Sequence, residues 1–485
     1  MGGTIIVFLL YTKRFLFLVL KMLIISLSDF NLYIMNKLLR TQTFLVITLS
    51  LITLVECYAE SGVYVGGHIR RERPGTIDKL KKSGFTYVIL FNVHVEANGT
   101  LTTDGETICE NGEYVFHRIQ PHYVNDVASL KQGSTSITRV ETCIGGWTNQ
   151  SWYNIKSLVE SEGTGQNSIL YKNFQALKNA LPTIDAVNND DEHAYDVNSA
   201  IAFHVMLYDL GFHSTMAPYR NKSYWQKLIE DVNEQRPGAV YRVYIQCYGG
   251  GSGNNPADWH LGGLPLHAGR ENYQNYTESL SLMESWKKDC GVSGGFFWVY
   301  NDESWNLNNY AIGVNKIFYA AENPVATLYG ASGFRGVGYP LPIGEYTTPQ
   351  LAACGISDNW ISSIKILPGY RVTVYESDDF LGKTEEYTSD SNISGIRVSS
   401  LKIESTTSSL DETALPVQCI YNAAQKMILI KSETTDVVNI FNLSGQIVHT
   451  NKIQSGETKI DASTFNKGLY LVRLSLQDSA FKISL

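Results

Sequence analysis

Between residues 183 and 192 the chain reads Thr183-Ile184-Asp185-Ala186-Val187-Asn188-Asn189-Asp190-Asp191-Glu192, apolar at its start and dense in carboxylates and amides at its end. As a strand, this run sends Asn188, Asp190 and Glu192 to one face and Asp185, Asn189 and Asp191 to the other. Two acids and an amide aimed at one spot repel each other and lose their hydration in an ordinary core. The arrangement therefore points to acid–base chemistry or to a bound partner. The competing reading is an exposed acidic loop after a strand, grasping a cation.

A strand tip of this kind needs a scaffold, and the flanking sequence supplies one. Val63 to Gly67, Phe85 to Val93 and Arg139 to Trp147 read as strands, followed by the acidic run, Ser214 to Tyr219, Tyr241 to Tyr248, a weaker run at Leu264 to Ala268, and Gly294 to Tyr300. Helical patterns fall between them at Thr76 to Ser83, Tyr171 to Ala180, Val197 to Leu210 and Trp225 to Asn233. Eight strands alternating with helices over about 250 residues match a (β/α)8 (TIM) barrel, whose catalytic groups sit at the C-terminal strand ends. Asp190 and Glu192 fall at such an end.

The chain has 485 residues, 44% hydrophobic and 18% charged, which implies two or three folded domains. A net charge of −8 with no clustered Lys or Arg disfavours nucleic acid as a partner. The 29 tyrosines and 8 tryptophans suit carbohydrate faces, although secreted all-β domains are also rich in tyrosine. Apolar runs lie at Thr4 to Leu10, Phe15 to Leu27 and Phe44 to Val55. From Met35, basic residues (Lys37, Arg40), an apolar stretch and the small Ala59 form the pattern of a secretory signal over 35–59. Residues 1–34 then read as an upstream translation artefact, the competing membrane anchor being interrupted by Lys13, Arg14 and Lys21. Of seven cysteines, Cys57 lies in that signal, and Cys109, Cys143, Cys247, Cys290, Cys354 and Cys419 form no CxxC pair, which argues against zinc. Export permits disulfides, whose pairing spacing does not reveal.

The segment DAVNNDDE, Asp185 to Glu192, resembles the DGxDxDxE signature of family 18 glycoside hydrolases, the chitinases and endo-β-N-acetylglucosaminidases. Cys143-Ile-Gly-Gly146 resembles that family's SxGG motif on the third strand, Gln246-Cys-Tyr248 its sixth-strand tyrosine motif, and Trp298 its eighth-strand tryptophan. The four occur in the family's order. The resemblance implies that Glu192 protonates the glycosidic oxygen, with a pKa raised by its like-charged neighbour Asp190. It implies that Asp190 holds the N–H of the substrate's acetamido group, whose oxygen attacks C1, that Tyr248 orients that group and that Trp298 floors the sugar site. Asn188, Gln246 and Tyr219 join the substrate-binding set, and no catalytic cofactor is implied. Three positions depart from the pattern: Asn188 stands for an aspartate, Ala186 for a glycine and Cys143 for a serine. Asn188 does not share a proton as a carboxylate does, so a barrel that only binds N-acetylglucosamine glycans, as a lectin, stands as the alternative.

Other features in this region read more plainly. Gly249 to Gly253 lacks the Lys-Ser/Thr of a phosphate cradle and reads as a loop. His193, His204, His213, His260 and His267 share no metal-ligand spacing. Trp147, Trp225, Trp259 and Trp305 either extend a sugar platform or simply pack.

The barrel pattern covers 60–322 and gives way after Asn323-Pro324 to short β runs over 323–404. There YGASGFRG (Tyr329 to Gly336) and YESDDFLG (Tyr375 to Gly382) both spell Y-x-x-x-x-F-x-G, which resembles the Greek-key signature of βγ-crystallins. Each precedes a Ser-Ser, in DNWISS (358–363) and GIRVSS (395–400). The first resembles that family's calcium motif, implying Ca²⁺ at Asp358, Asn359 and Ser362; a calcium-free crystallin fold is the alternative. A polar linker over 405–415 leads to 416–485, where alternating apolar residues between turns predict a small immunoglobulin-like β-sandwich. The phrases NIFNLSGQIV and KGLYLVRL and the terminal Lys482 to Leu485 resemble the C-terminal sorting domain of type IX secretion. That resemblance implies the secretion machinery as a partner and a secreted or cell-surface location.

Overall fold

The computed structural model describes residues 59–71, 73–301, 304–406 and most of 417–484. The upstream segment, the signal peptide and the linker lie outside the described residues, save for Ala59, Ser405 and Thr406.

In chain order the strands are β1 (Ser61–Val65), β2 (Tyr87–Val95), the short β3 (Leu101–Thr103), β4 (Glu106–Glu110) and β5 (Glu113–Tyr114), then β6 (Arg139–Gly145) and β7 (Ala186–Asp190). They continue with β8 (His213–Met216), β9 (Val240–Gln246), β10 (Leu266–Glu271) and β11 (Gly294–Tyr300). β1 pairs in parallel with both β2 and β11, and the pairing runs on in parallel from β2 through β6 to β11. β1, β2 and β6 to β11 therefore close an eight-stranded barrel. β3 to β5 form an antiparallel excursion from the end of β2, starting at the His94–Thr102 pair. This excursion has no counterpart in the sequence reading.

Side-chain chemistry sets the helices between strands. Ser168 accepts from the Tyr171 N–H ahead of Ile169–Ala180, Asp196 from Ser199 ahead of Val197–Asp209, and Asn275 from Glu278 ahead of Tyr276–Cys290. The last of these ends at Gly291, whose φ of 67° is the left-handed turn that stops a helix. Apolar residues between strands and helices form the main core, including Val88, Ile144, Phe174, Phe203 and Leu228.

The barrel interior is different. It carries a layer of aromatic rings, Tyr64, Tyr87, Tyr244, Tyr248 and Phe296, with Cys143. Tyr87 and Tyr244 stack with centroids 5.3 Å apart and planes 11° from parallel. Beside them the fully buried Glu141 accepts from Tyr244 Oη at 2.6 Å, Thr215 Oγ1 at 2.6 Å and Arg139 Nε at 2.9 Å. A buried anion is tolerated when it is paired and its lone pairs are occupied in this way.

Residues 326–405 form two four-stranded sheets. One runs Arg335–Leu341, Ala326–Ala331, Ser363–Ile366, Ser391–Asn392, and the other Gly344–Tyr346, Ser400–Ser405, Tyr370–Ser377, Leu381–Tyr387. The two repeats superpose in chemistry. Tyr329 packs edge-on against Phe334 with centroids 6.1 Å apart, and Tyr375 against Phe380 at 5.6 Å. In the first, Ser363 Oγ donates to Ala331 O at 2.7 Å and accepts from Phe334 N at 3.1 Å; in the second, Ser400 Oγ donates to Ser377 O at 2.7 Å and accepts from Phe380 N at 3.1 Å. The second serine of each Ser-Ser thus staples its hairpin turn. Within the same compact unit, Asn315 Nδ2 of the barrel donates at 2.8 Å to both Gly84 O and Ala352 O, and Ser134 Oγ donates to Asp378 Oδ2 at 2.8 Å.

The tail belongs to a second unit and comprises a three-stranded and a four-stranded antiparallel sheet around one apolar cluster. Its burial alternates as the sequence pattern requires, with Val438 and Ile440 buried between half-buried neighbours.

Candidate functional site

The described part of the acidic run is shorter as a strand than the sequence suggests: β7 ends at Asp190. Glu192 therefore does not share a strand face with Asn188 and Asp190. A turn brings it to the cleft instead, because Asp191 organises the backbone that follows. The Asp191 carboxylate accepts from the N–H groups of His193 at 3.0 Å, Ala194 at 2.9 Å and Tyr195 at 2.7 Å, and from Tyr224 Oη at 3.3 Å. Burial raises the Asp191 pKa against the lowering effect of these donors. Behind it, Asn189 Oδ1 accepts from Asp191 N at 2.9 Å, and Asn189 Nδ2 lies 2.9 Å from His204 Nε2, whose Nδ1 is 2.8 Å from Ser214 Oγ. An amide donor facing Nε2 makes Nδ1 the protonated nitrogen, donating to Ser214. Burial pushes His204 down to about 3, which keeps it neutral and suited to this relay.

Six of the residues singled out above line one cavity of about 380 Å³ at the C-terminal end of the barrel: Asp190, Glu192, Tyr219, Gln246, Tyr248 and Trp298. Trp147, Phe91, Glu271 and the glycine turns Gly146 and Gly249–Gly250 complete its wall. Trp147 is 76% exposed and belongs to the cleft, whereas Trp225 and Trp259 are core residues and Trp305 packs half-buried against the core. Glu271 and Phe91 escaped the sequence reading. The only available signal for Glu271 was its place at the end of a weak strand, which runs two residues later than its apolar pattern begins and three beyond where it stops.

Asp190 is almost fully buried, and its Oδ1 accepts from Gln246 Nε2 at 2.8 Å; the same amide donates to Ala217 O at 2.9 Å. Gly145 faces Asp190 in the parallel register, and its φ of 118° and its contact exclude a side chain, since a Cβ there would lie 2.0 Å from Asp190 O. The Gly-Gly of the Cys143 to Gly146 motif thus lets strand β6 close directly over the acid. On the far wall, a Cβ on Gly250 would lie 2.8 Å from the Tyr219 ring, so that glycine makes room for the tyrosine.

Burial raises the pKa of Asp190 well above the ordinary carboxylate value, and the nearby Glu192 raises it further, while the Gln246 donor opposes both. Glu192 is raised chiefly by burial, against the lowering effect of Arg220. Arg220 sits on the rim, donating to Glu192 O at 2.6 Å and to Tyr195 Oη at 3.0 Å. Burial and then the Asp190 charge also raise Tyr248, so its hydroxyl keeps its proton and serves as a donor. Its ring lies nearly parallel to Trp298, 15° apart with centroids at 6.4 Å, and Phe91 meets Trp298 edge-on at 4.5 Å. Trp298 is thus held by packing against Tyr248 and Phe91.

Asn188 does not reach the cavity wall. It is fully buried one layer below, where its Oδ1 accepts from Tyr64 Oη at 2.8 Å and its Nδ2 donates to Thr215 Oγ1 at 2.9 Å. Thr215 Oγ1 in turn donates a hydrogen bond to Glu141, so the donors of this chain run toward one carboxylate. An amide satisfies both neighbours; a second anion at 188 would face the lone pair that Thr215 already directs at it. Asp358, Asn359 and Ser362 lie apart from the cleft, in the 326–405 module. Asn359 Nδ2 donates to Asp358 Oδ2 at 2.8 Å, and Ser362 Oγ donates to Gly330 O at 3.1 Å. Among the described residues no three His, Cys, Asp or Glu side chains gather as a metal site, and none of the six described cysteines forms a disulfide.

The fold and cleft define a parallel (β/α) barrel with one buried and one half-buried acid, Asp190 and Glu192, at its C-terminal mouth, followed by a crystallin-like module and an export tail. Residues 420–483 match the secretion system C-terminal sorting domain, which supports secretion or a cell-surface location and an interaction with the type IX machinery. The module is similar to development-specific protein S of Myxococcus xanthus, 37% identical over 86 residues, which are 16% of this chain and 50% of that protein. Its homolog in the same organism is 33% identical over 86 residues, 16% of this chain and 49% of that protein. The chain thus spans about half the length of the curated relatives it matches. Among solved structures it is similar to a βγ-crystallin domain from Flavobacterium johnsoniae, 28% identical over 17% of this chain and 98% of that one, with a TM-score of 0.17. A βγ-crystallin domain from Clostridium beijerinckii is 36% identical over 17% and 99%, also at 0.17.

The raised Asp190 pKa fixes the sign of a pH effect. Below its unfolded value both states hold the proton, and as pH rises through the folded value the buried anion comes to oppose folding. Asp190→Asn is expected to melt higher than the wild type at neutral pH, with the gain fading as pH falls to about 3.8, the ordinary aspartate value. Thermal denaturation of both proteins across that range measures it, and a gain that grows toward acid would be the opposite result.

Proposed function

We propose that the barrel is a family 18-type glycoside hydrolase that cleaves β-1,4 bonds beside N-acetylglucosamine, in chitin or N-glycan substrates, by substrate-assisted catalysis with retention. The observation that carries this reading is the convergence of Asp190, Glu192, Tyr248 and Trp298 on one cleft. Glu192, whose hold on its proton is strengthened by partial burial, gives that proton to the glycosidic oxygen as the C1–O bond breaks. The acetamido oxygen of the same sugar bonds to C1, and the positive charge passes to an oxazolinium-like ring. Asp190 accepts the acetamido N–H and stabilises that charge, while the Tyr248 hydroxyl orients the acetyl group. Water then attacks C1, giving a proton back to the Glu192 carboxylate, and the ring reopens with the original configuration.

Asn188 favours a second reading. With an amide in place of the carboxylate below Asp190, proton sharing within the pair is lost and Gln246 is the donor that holds Asp190 instead. A barrel that binds N-acetylglucosamine glycans without cleaving them keeps every wall residue.

In the crystallin-like module the donors Asp358, Asn359 and Ser362 are all hard oxygens, which suits Ca²⁺ as a structural ion, and their single carboxylate suits a weak site.

Purified protein is expected to release product from chitooligosaccharides or from high-mannose glycoprotein, and Glu192→Gln to lower kcat by about 10²- to 10⁴-fold while sugar binding persists. Binding without product from any N-acetylglucosamine substrate would select the lectin reading. Added Ca²⁺ is expected to raise the melting temperature of the wild type and not of Asp358→Ala, and a shift of equal size in both would remove Asp358 from the site.

A further inference from the structure

Glu271 ends β10 with its side chain in the cleft wall and only 9% of its surface exposed. It stands beside Trp298 in the parallel register. No described Lys, Arg or His forms an ion pair with it, whereas its neighbour Arg270 turns away from the cleft, donating to Cys247 O at 3.2 Å. The hydroxyl of Tyr273, a residue 76% exposed at the rim, lies near its carboxylate. A carboxylate so placed retains unfilled acceptor capacity on the side facing the cleft.

The backbone that carries it is fixed. Glu271 N donates to Gln274 Oε1 at 3.0 Å and Gln274 N donates back to Glu271 O at 3.2 Å. Asn272 N donates to Trp298 O at 2.7 Å, and Tyr310 Oη donates to Asn272 O at 3.0 Å. The tip of β10 is thereby tied to the strand that bears the floor tryptophan. A rigid mount, a nearly buried acceptor and an apolar ring beside it are what recognition of a sugar hydroxyl requires.

We propose that Glu271 is a specificity-determining residue of the barrel, its carboxylate accepting hydrogen bonds from hydroxyl groups of the sugar seated on Trp298. This rests on the glycan-binding reading of the cleft. It assigns Glu271 no proton transfer: it fixes which sugar lies on the tryptophan and in which rotation. Hydrogen bonds to a charged acceptor in a water-poor cleft are strong enough to decide affinity.

The test is calorimetric titration with the N-acetylglucosamine tetramer in a Glu192→Gln parent, which blocks turnover, with Glu271→Gln and Glu271→Ala added. Glu271→Gln keeps the shape and removes the charge, and is expected to weaken binding about tenfold, with Glu271→Ala weakening it further, at unchanged melting temperature. Wild-type affinity in Glu271→Gln, with the parent binding normally, would overturn the proposal and leave the glycan-binding reading intact. Affinity lost only in step with a lowered melting temperature would also overturn it, by making Glu271 structural. A parent that binds no tetramer would bring down both readings.

Discussion

Placing a carboxylate at the tip of a barrel strand, out of water, raises the free energy of its anion, and the surroundings of β7 are arranged around that fact. Asp190 has one strong donor, Gln246, and a glycine turn closed over it, so its proton is held more tightly than in water. The second acid is kept off the strand by Asp191, whose carboxylate gathers three successive N–H groups and so decides where Glu192 points. Neither acid is made by its own side chain alone. The relay from Ser214 through His204 and Asn189 reaches the same turn from the helix side of the barrel, and needs His204 neutral to do so.

The charge balance one layer down follows from the same constraint. Glu141 already places an anion in the barrel interior, held by Arg139, Tyr244 and Thr215. The hydrogen-bond chain from Tyr64 through Asn188 to Thr215 then has a direction, and an amide is the side chain that fits it. The residue that departs from the resembled signature is, within this interior, the neutral link in a chain that ends on a carboxylate two strand positions away in the pairing with β6.

Much of the barrel was legible in the sequence because its strands are mostly short apolar runs between helical patterns, and every expected strand overlaps an observed one. The crystallin-like repeats were legible for a related reason: a Tyr–Phe pair and a stapling serine recur at equal spacing. The turn after Asp190 was not, since strand alternation carries no information on where a strand stops, and an aspartate bonding to backbone two to four residues ahead looks the same as one facing solvent. Glu271 was missed because β10 is weak in pattern, with His267, Gly269 and Arg270 among its residues. The interior role of Glu141 depends on partners from two other strands, Thr215 on β8 and Tyr244 on β9, which no local window contains.

The proposed chemistry requires that the acetamido group of the substrate take part in the reaction, with Asp190 holding it. Proton NMR of the first product released from a chitooligosaccharide reads this directly, before mutarotation blurs the anomers. The β-anomer appearing first is the result predicted by substrate-assisted retention. The α-anomer appearing first would mean direct attack by water, and would contradict the roles given to Asp190 and Tyr248.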